Sequence, residues 1–367
     1  MTGFIGLRIA LVGPLPPPAG GMANQTRQLA ELLGGEGAKV ELVQTNAIYR
    51  PAWVAHLPGL RALFRLLPYL VALWRAAGRN EQMHVMANSG WSWHLFAVPS
   101  IWIARLRGTP LVVNYRGGGA AGFLERSAHS VRTSMRCAGG LIVPSGFLKQ
   151  VFHQHGIEAR VVPNIIDLKR YRRRALNHKP GSEHLIVTRN LEALYDNESA
   201  IRALARVRQN FPTARLTLAG TGPERARLEI LARELGLADT VRFSGRLDRD
   251  AMAALYADAT VMLNPSLTDN MPNSVLEALA CAVPVVSTDV GGVPYLLTHG
   301  ETALLVKPSR PDQLADAVLR LLQDPALQER LTSQGYLEVQ RYTWECVKPL
   351  LLQAYAQSRV GLKPQFA

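Results

Sequence analysis

The sequence predicts an α/β protein built from two doubly wound parallel sheets. Its 367 residues, 48% of them hydrophobic, are enough for two ordinary cores. Short β-like runs alternate with helical patterns along nearly the whole chain. A polar stretch over 167–183, rich in Arg, Lys, Asn and Pro, interrupts this alternation. We therefore expect Rossmann-like domains over 1–178 and 179–344, a cleft between them, and a C-terminal helix over 345–367 that packs back on the first domain.

The first domain begins with a strand over 8–13, a loop over 14–21, a helix over 22–33 and a second strand over 39–44. Gly20 and Gly21 stand directly before the helix, where missing side chains allow a ligand to approach the backbone. Gly13 lies too far from them for a dinucleotide fingerprint. Further strands are expected over 83–87, 110–114, 140–143 and 159–163.

The second domain repeats the alternation, with strands expected over 184–188, 214–219, 240–244, 260–263, 283–287 and 303–306. Its most informative stretch is 261–287, where a buried strand leads into a Pro-rich loop and then a helix that begins beside Pro272. Such a helix points its unpaired N–H groups and the positive end of its dipole at the carboxyl end of the strand. The stretch therefore predicts a site for an anion such as a phosphate.

Two carboxylates bracket this predicted anion site. Asn273 and Glu277 share a helix face and lean back toward the loop that carries Asp269. Ionised carboxylates only accept hydrogen bonds, which suits the paired hydroxyls of a sugar or a ribose. The alternative is that Asp269 caps the helix and Glu277 is an exposed helix residue.

Positive charge is concentrated in the first half of the chain. Residues 1–185 contain 22 Lys/Arg and 8 Asp/Glu, whereas 186–367 contain 19 and 20. This asymmetry indicates that the first domain meets a membrane surface, nucleic acid or a phosphorylated substrate, unless it is only a coding bias for Arg. The segment 57–79 favours a membrane, because it is amphipathic and basic with an expected interruption at Pro68. The alternative is a core-facing helix pair with Arg at its edge.

Other features exclude several classes of protein. We expect no signal peptide, and no run of 18 apolar residues suggests a membrane span. The dispersed Cys137, Cys281 and Cys346 indicate a reducing compartment without a structural zinc site. Asp248 and Asp250 form a DxD pattern, but they stand at a helix start where acids act as caps. We therefore expect no metal ion.

Several motifs, taken together, resemble the family 4 retaining glycosyltransferases, or glycosyl transferases group 1, which have the two-domain GT-B fold. The resemblance covers nearly the whole chain in order, and its signature is an E-x7-E motif, here Asp269 to Glu277. The other matching pieces are Gly20-Gly21, Pro163-Asn-Ile-Ile-Asp167, Leu218-Ala-Gly-Thr-Gly-Pro223, Phe243-Ser-Gly-Arg246, Thr288-Asp-Val-Gly-Gly-Val-Pro294, His299-Gly-Glu-Thr-Ala-Leu-Leu-Val306 and Tyr342-Thr-Trp344.

The resemblance assigns most of the donor site to the second domain. Arg189 would neutralise the departing diphosphate, and Glu277 would hold the ribose hydroxyls. The donor sugar would meet Asp269 and the backbone of Asn270 and Met271. The pyrophosphate would meet the N–H groups of Asn273 and Ser274, together with Gly20 and Gly21 of the first domain. Arg246 would lie beside the base.

Three departures from the family pattern fall on expected site residues. The lysine expected a few residues after Arg189 is replaced by Leu-Tyr-Asp-Asn over 194–197. Arg116 stands where the family often has a histidine, and it cannot act as a base at neutral pH but can bind phosphate or sugar oxygens. Asp269 is one methylene shorter than the usual Glu. The resemblance places Arg116 with Arg189 and Asp269 among the catalytic residues. The acceptor side is expected at Tyr115, Gly117 and Gly118.

The resemblance implies a retaining hexosyltransferase that needs no cofactor or metal. It would move a sugar from a nucleotide diphosphate sugar, most simply a UDP-sugar, to a lipid-linked or growing polysaccharide of the exopolysaccharide, capsule or lipopolysaccharide type. The basic first domain would bind the anionic inner face of the cytoplasmic membrane, and no nucleic acid is expected. Two alternatives are an inert relative that binds sugars or membranes, and a nucleotide-sugar epimerase on the same fold. An epimerase is expected to need acid/base carboxylates or histidines near 20–24 and 114–119, where the chain has none.

Overall fold

The computed structural model describes residues 3–17, 20–47, 60–173, 181 and 183–360. The chain divides into two compact units: unit 1 comprises Met1–Asn164 and Val347–Ala367, and unit 2 comprises Ile165–Cys346. The sequence-based boundaries lie instead at 178 and 344. Residues 174–180 and 182 of the expected linker are outside the described residues.

Unit 1 contains a parallel sheet of six described strands in the order β2-β1-β3-β4-β5-β6. The strands are β1 (Arg8–Gly13), β2 (Lys39–Gln44), β3 (Gln82–Ala87), β4 (Leu111–Tyr115), β5 (Gly140–Val143) and β6 (Arg160–Val161). The helices are α1 (Gly21–Gly35), α2 (Leu60–Arg79), α3 (Val98–Arg107), α4 (Ala120–Met135) and α5 (Gly146–Gln154), and a π-helical turn (Trp93–Ala97) leads into α3.

Unit 2 contains a second parallel sheet of six described strands in the order β12-β11-β10-β7-β8-β9. The strands are β7 (His184–Val187), β8 (Arg215–Leu218), β9 (Val241–Phe243), β10 (Val261–Asn264), β11 (Val285–Thr288) and β12 (Leu304–Val306). The helices are α6 (Asn197–Val207), α7 (Arg225–Glu234), α8 (Arg249–Asp258), α9 (Asn273–Ala280), α10 (Pro311–Gln323) and α11 (Pro325–Val339). The strand order reverses direction between β1 and β3 in the first sheet and between β10 and β7 in the second, which is the doubly wound topology that the alternation predicts.

The C-terminal helix α12 (Trp344–Val360) enters unit 1 at Val347 and packs on β3. Ser358 Oγ donates to Gln82 Oε1 at 3.1 Å. Tyr355 Oη lies 2.9 Å from His84 Nδ1. These contacts explain why β3 carries buried polar residues on one face and apolar core residues on the other. Residues 361–367 of the expected C-terminal segment lie outside the described residues.

Helix α2 corrects one expectation. It runs without interruption through Pro68, whereas the sequence suggested a break there. A proline inside a helix removes one backbone hydrogen bond, but the face formed by Tyr69, Leu73 and Ala76 is buried in the core of unit 1. The packing of that face holds the helix together. Residues 57–59 of the expected segment are outside the described residues, and within the described ones no helix is long and apolar enough to cross a membrane.

Candidate active site

Arg189 stands two residues beyond the carboxyl end of β7, and its backbone is fixed by the turn that follows β8. A Cβ atom on Gly220 would collide with the carbonyl oxygen of Arg189, and one on Gly222 would collide with that of Leu191. The Leu191 N–H donates to the Thr221 carbonyl at 3.1 Å. The glycines of the 218–223 motif are therefore needed for close backbone packing, and this packing places Arg189.

The guanidinium of Arg189 is enclosed between a carboxylate and an aromatic ring. Its Nη2 lies 2.8 Å from Asp269 Oδ2, and the two side chains are only 13% and 9% exposed. On its other side, Arg189 Cζ lies 4.0 Å from the centroid of the Tyr195 ring. Tyr195 belongs to the segment in which the family pattern has a lysine. An aromatic ring that stacks on the Arg189 cation thus stands where a second cation was expected.

The loop that carries Asp269 is held by buried side chains at the ends of β10 and β11. Thr288 Oγ1 donates to the Ser266 carbonyl at 2.6 Å, and Ser266 Oγ donates to Asn264 Oδ1 at 3.0 Å. The N–H of Gly292 donates to the Asp269 carbonyl at 2.9 Å. A Cβ atom on Gly292 would collide with the carbonyl of the next loop residue, 270. Glycine is therefore required at 292 so that this loop can lie close to it.

Helix α9 begins at Asn273, and Pro272 in the N-cap position supplies no side-chain cap. Asp269 does not cap the helix, so that alternative is wrong: its Oδ1 accepts from the neighbouring Asn270 N–H at 3.0 Å. Among the described residues, Ser274 Oγ and Arg189 Nε are buried without a hydrogen-bond partner. Buried polar atoms are rarely left unsatisfied, so the Ser274 hydroxyl at the uncapped helix start and the Nε of Arg189, which pairs with Asp269, indicate a place for a polar ligand.

Glu277 lies one turn further along α9 and is half-buried, so the alternative of an exposed helix residue is wrong. The hydroxyls of Tyr171 and Tyr256 lie near its carboxylate and act to lower its pKa, and the two rings meet edge to face with centroids 5.8 Å apart. Tyr256 Oη donates to the Ser274 carbonyl at 3.0 Å. Burial raises the pKa of Glu277 to about 7, against the opposing effects of the two hydroxyls and of Arg189. No motif links the two tyrosines to residue 277, so sequence reasoning could not identify them.

The other expected donor residues of unit 2 lie at two separate places. Asn270 and Met271 are buried in the loop before α9. Arg246 follows β9 with an exposed side chain. Because β9 is three strands from β10 in the sheet, Arg246 stands on the order of 14 Å from the start of α9. Its role beside a nucleotide base stays a prediction.

The expected residues of unit 1 stand at the carboxyl ends of β1 and β4. Gly20 is the N-cap of α1, and a Cβ atom on Gly20 or Gly21 would meet nothing within 4 Å. Tyr115 is fully buried, with its Oη 2.6 Å from Ser89 Oγ and its pKa raised to about 12 by burial. Its side chain belongs to the core, and a role in acceptor binding stays a prediction.

Gly117 and Gly118 follow Arg116 and differ in their surroundings. A Cβ atom on Gly117 would collide with Asn88 Oδ1, whereas one on Gly118 would meet nothing within 4 Å. Of these two glycines, only Gly117 is therefore required by packing within unit 1. Gly118 leaves its backbone open to a ligand.

Metal-binding side chains do not converge in the part of the chain that the structure describes. No group of three or more His, Cys, Asp or Glu that could hold an ion occurs there. Asp248, the first acid of the DxD pattern, caps α8 by accepting from the N–H groups of Asp250 and Ala251 at 3.1 and 2.8 Å. The pattern therefore has a local structural explanation.

Two parallel doubly wound sheets with a polar cluster at strand carboxyl ends form an α/β architecture in which ligands commonly bind at that edge. The family described as Glycosyltransferase Family 4 matches residues 19–170, and the family described as Glycosyl transferases group 1 matches residues 169–338. The chain therefore belongs to the family 4 glycosyltransferases, which transfer sugars. The resemblance inferred from the motifs is confirmed.

Similar proteins include a glycogen synthase from Mycobacterium tuberculosis, 29% identical over 73% of this chain and 68% of its own length. A D-inositol 3-phosphate glycosyltransferase from Actinosynnema mirum is 32% identical over 54% of this chain and 52% of its own length. The chain thus matches about half of that second relative.

Solved structures share the fold. Sucrose-phosphate synthase from Thermosynechococcus elongatus superposes with a TM-score of 0.77 at 23% identity, over 96% of this chain and 98% of its own. Anabaena HepE in complex with UDP and glucose superposes with a TM-score of 0.71 at 17% identity, over 95% and 99%. The fold is GT-B, as the sequence predicted.

Proposed function

We propose that the protein is a retaining hexosyltransferase that takes a sugar from a nucleotide diphosphate sugar, with UDP as the nucleotide. The observation that carries the proposal is the cluster formed by Arg189, Asp269 and the uncapped start of α9, with its unsatisfied Ser274 hydroxyl. A diphosphate would bring acceptors to these donors. The choice of UDP is supported by the Anabaena neighbour, which was solved with UDP and glucose.

Binding of the donor would rearrange the Arg189–Asp269 pair. Without a ligand, the two charges neutralise each other. A diphosphate would compete for the guanidinium, since phosphate oxygens match its fork of N–H donors. Asp269 would then be released to accept hydrogen bonds from sugar hydroxyls. Glu277, which lies beside Tyr171 and Tyr256, would accept from the ribose hydroxyls.

The proposed chemistry needs no side-chain nucleophile. The bond between the anomeric carbon and the leaving phosphate oxygen breaks, and the acceptor oxygen bonds to the same face of the sugar. The acceptor's hydroxyl proton passes to the leaving phosphate. The diphosphate gains negative charge during this step, and Arg189 and the positive end of α9 would stabilise it without a metal ion.

We further propose that the acceptor is a growing glycan or a polyprenyl-linked saccharide at the inner face of the cytoplasmic membrane. The supporting surface is the α2–α3 face, formed by the exposed side chains of the two helices. Neither helix contains an acidic residue, and the guanidinium of Arg107 lies 4.8 Å from the Trp74 ring centroid. Its exposed members include Phe64, Leu67, Val71, Trp74, Arg75, Arg79, Trp102, Arg105, Leu106 and Arg107. Apolar side chains, tryptophans and arginines in one face suit an anionic bilayer surface.

A thermal-shift panel of UDP, GDP, ADP, dTDP and CMP tests the donor. A ligand that binds only the folded chain at about 100 times its Kd should add roughly 2.7 kcal/mol of stability. We expect UDP alone to shift the midpoint, and the shift to disappear in Glu277→Ala. UDP-sugars are then screened for UDP release with glycan and polyprenyl acceptors, and the anomeric configuration of the product is read by NMR.

The same experiment separates the alternatives. An inert relative would bind UDP but release none from any UDP-sugar, and an epimerase would convert the sugar without an acceptor. Absence of a shift with every nucleotide would refute the donor site as proposed.

A further inference from the structure

Arg116 is a half-buried cation of unit 1 that has no counter-ion among the described residues. It follows β4 directly, and its backbone N–H donates to the Ala87 carbonyl at 2.9 Å. Its Nε donates to Asn114 Oδ1 at 2.7 Å, and its Nη1 donates to Asn164 Oδ1. Burial is the one cause of its pKa shift, and no Asp or Glu of the described residues contributes to that shift. Burial lowers its pKa to about 10, so it stays charged at neutral pH.

A chain of buried hydrogen bonds fixes how Asn114 faces Arg116. Because arginine only donates, the Asn114 oxygen must face Arg116 and its Nδ2 must donate to His84 Nε2, 2.9 Å away. His84 therefore carries its proton on Nδ1 and donates it to Tyr355 Oη on α12. Burial and the charge of Arg116 lower the His84 pKa to about 3, so the imidazole is neutral. All of these partners are uncharged.

The positive charge of Arg116 is therefore not cancelled inside unit 1. Removing a charge from water costs several kcal/mol, and two amide oxygens offset only part of this cost. An apolar side chain of similar length would be less costly at this position. Of the five N–H donors of the guanidinium, two are used by Asn114 and Asn164. The remaining donors form a fork that suits the oxygens of an anion.

Among the described residues of unit 1, no carboxylate shifts the pKa of Arg116, and the neighbouring Gly118 leaves room for a ligand. In reaching Asn164, which follows β6, the side chain spans the carboxyl end of β5. Gly118 opens into free space, as described above. Helix α4 begins two residues later, with no acid in its first turn and no side-chain cap from Gly119. Both its dipole and its unpaired N–H groups favour an anion near Arg116.

We propose that Arg116 binds an oxyanion of the phosphate class and that Asn114 is a positioning residue for its guanidinium. Two substrates could supply this oxyanion: the diphosphate of the donor, or a phosphate carried by the acceptor. The first source rests on the proposed function, whereas the second does not depend on which nucleotide the chain binds. A phosphate-bearing acceptor would agree with the positive charge of the first half of the sequence.

Calorimetric titrations of the full chain test the proposal and distinguish the sources. UDP and uridine are titrated into the free protein, and inorganic phosphate is titrated into the free and the UDP-saturated protein. If the donor supplies the anion, Arg116→Gln should weaken UDP binding by about 10- to 100-fold and leave uridine binding unchanged. If the acceptor supplies it, Arg116→Gln should leave UDP binding unchanged and abolish phosphate binding to the UDP-saturated protein. Either result supports the proposal.

Asn114→Asp provides a matched control, because it places a carboxylate beside Arg116 with almost no change in shape. The internal ion pair should lower anion affinity about as much as Arg116→Gln does, while the thermal midpoint stays the same or rises. A purely structural role for Arg116 predicts no loss of anion binding in this variant. The proposal is overturned if both variants bind UDP and phosphate as the unaltered chain does. If the unaltered chain does not bind UDP, the proposed donor fails, and phosphate titration of the free protein still decides the role of Arg116.

Discussion

Protonation of Glu277 should control the affinity for the nucleotide. Burial raises the pKa of this carboxyl from 4.5 to about 7, and ribose hydroxyls need its ionised form as an acceptor. In the free site, about half of the carboxyl is therefore ionised at pH 7, and roughly one tenth at pH 6. Between pH 8 and pH 6, we expect the UDP affinity to fall about tenfold from this group alone.

The assay is calorimetric titration of UDP at half-unit steps from pH 5.5 to 8.5, with Glu277→Gln as the matched control. The amide is almost the same size but does not titrate in this range. Dividing the affinity of the unaltered chain by that of the variant removes the protonation of the UDP phosphate, which both proteins share. A ratio that does not change with pH would refute the assignment of Glu277 to the ribose.

The same carboxyl has a second, opposite consequence for the stability of the unliganded chain. Because folding raises its pKa, the folded state favours the protonated form. This contribution to stability is complete below about pH 4.5 and is lost as the pH rises through about 7. We therefore expect the thermal unfolding midpoint of Glu277→Gln to rise relative to that of the unaltered chain between pH 5 and pH 8. Midpoints that stay parallel across this range would show that the carboxyl is not desolvated.

Three further predictions concern the remaining parts of the protein. Arg189→Lys should lower kcat for UDP-sugar turnover about 100-fold or more. Tyr195→Leu should lower it roughly tenfold, because the ring only holds the guanidinium in place. Normal turnover by Arg189→Lys would contradict the role of Arg189 at the leaving group. Gly292→Ala should lower the free energy of unfolding in urea by about 1–3 kcal/mol, because the added Cβ collides with the site loop. The control Gly34→Ala, where an added Cβ meets nothing within 4 Å, should be neutral or slightly stabilising. Equal effects of the two substitutions would contradict the packing argument. Sedimentation with phosphatidylglycerol vesicles should show salt-sensitive binding that Trp74→Ala weakens, and equal binding to phosphatidylcholine vesicles would contradict an electrostatic membrane surface.

Features fixed by neighbours in the sequence could be predicted from it. The alternating apolar runs predicted the strands of both sheets to within a few residues, since burial on both faces requires continuous apolar segments. The start of α9 beside Pro272 and the shared face of Asn273 and Glu277 also followed from spacing along one helix. Family motifs then indicated the fold and the class of reaction, which the comparisons confirm.

Features that depend on the order of strands required the tertiary structure. Arg189 and Asp269 are 80 positions apart and form an ion pair because β7 and β10 are neighbours in the sheet. The tyrosines beside Glu277, and the buried chain from Tyr355 to Arg116, likewise come from separate elements. Helix α2 continues through its proline because its packed face outweighs one lost hydrogen bond. Local spacing thus determined the elements and the helix-borne part of the site. Long-range side-chain contacts, which no local pattern encodes, decided which charges are paired and which are left for a ligand.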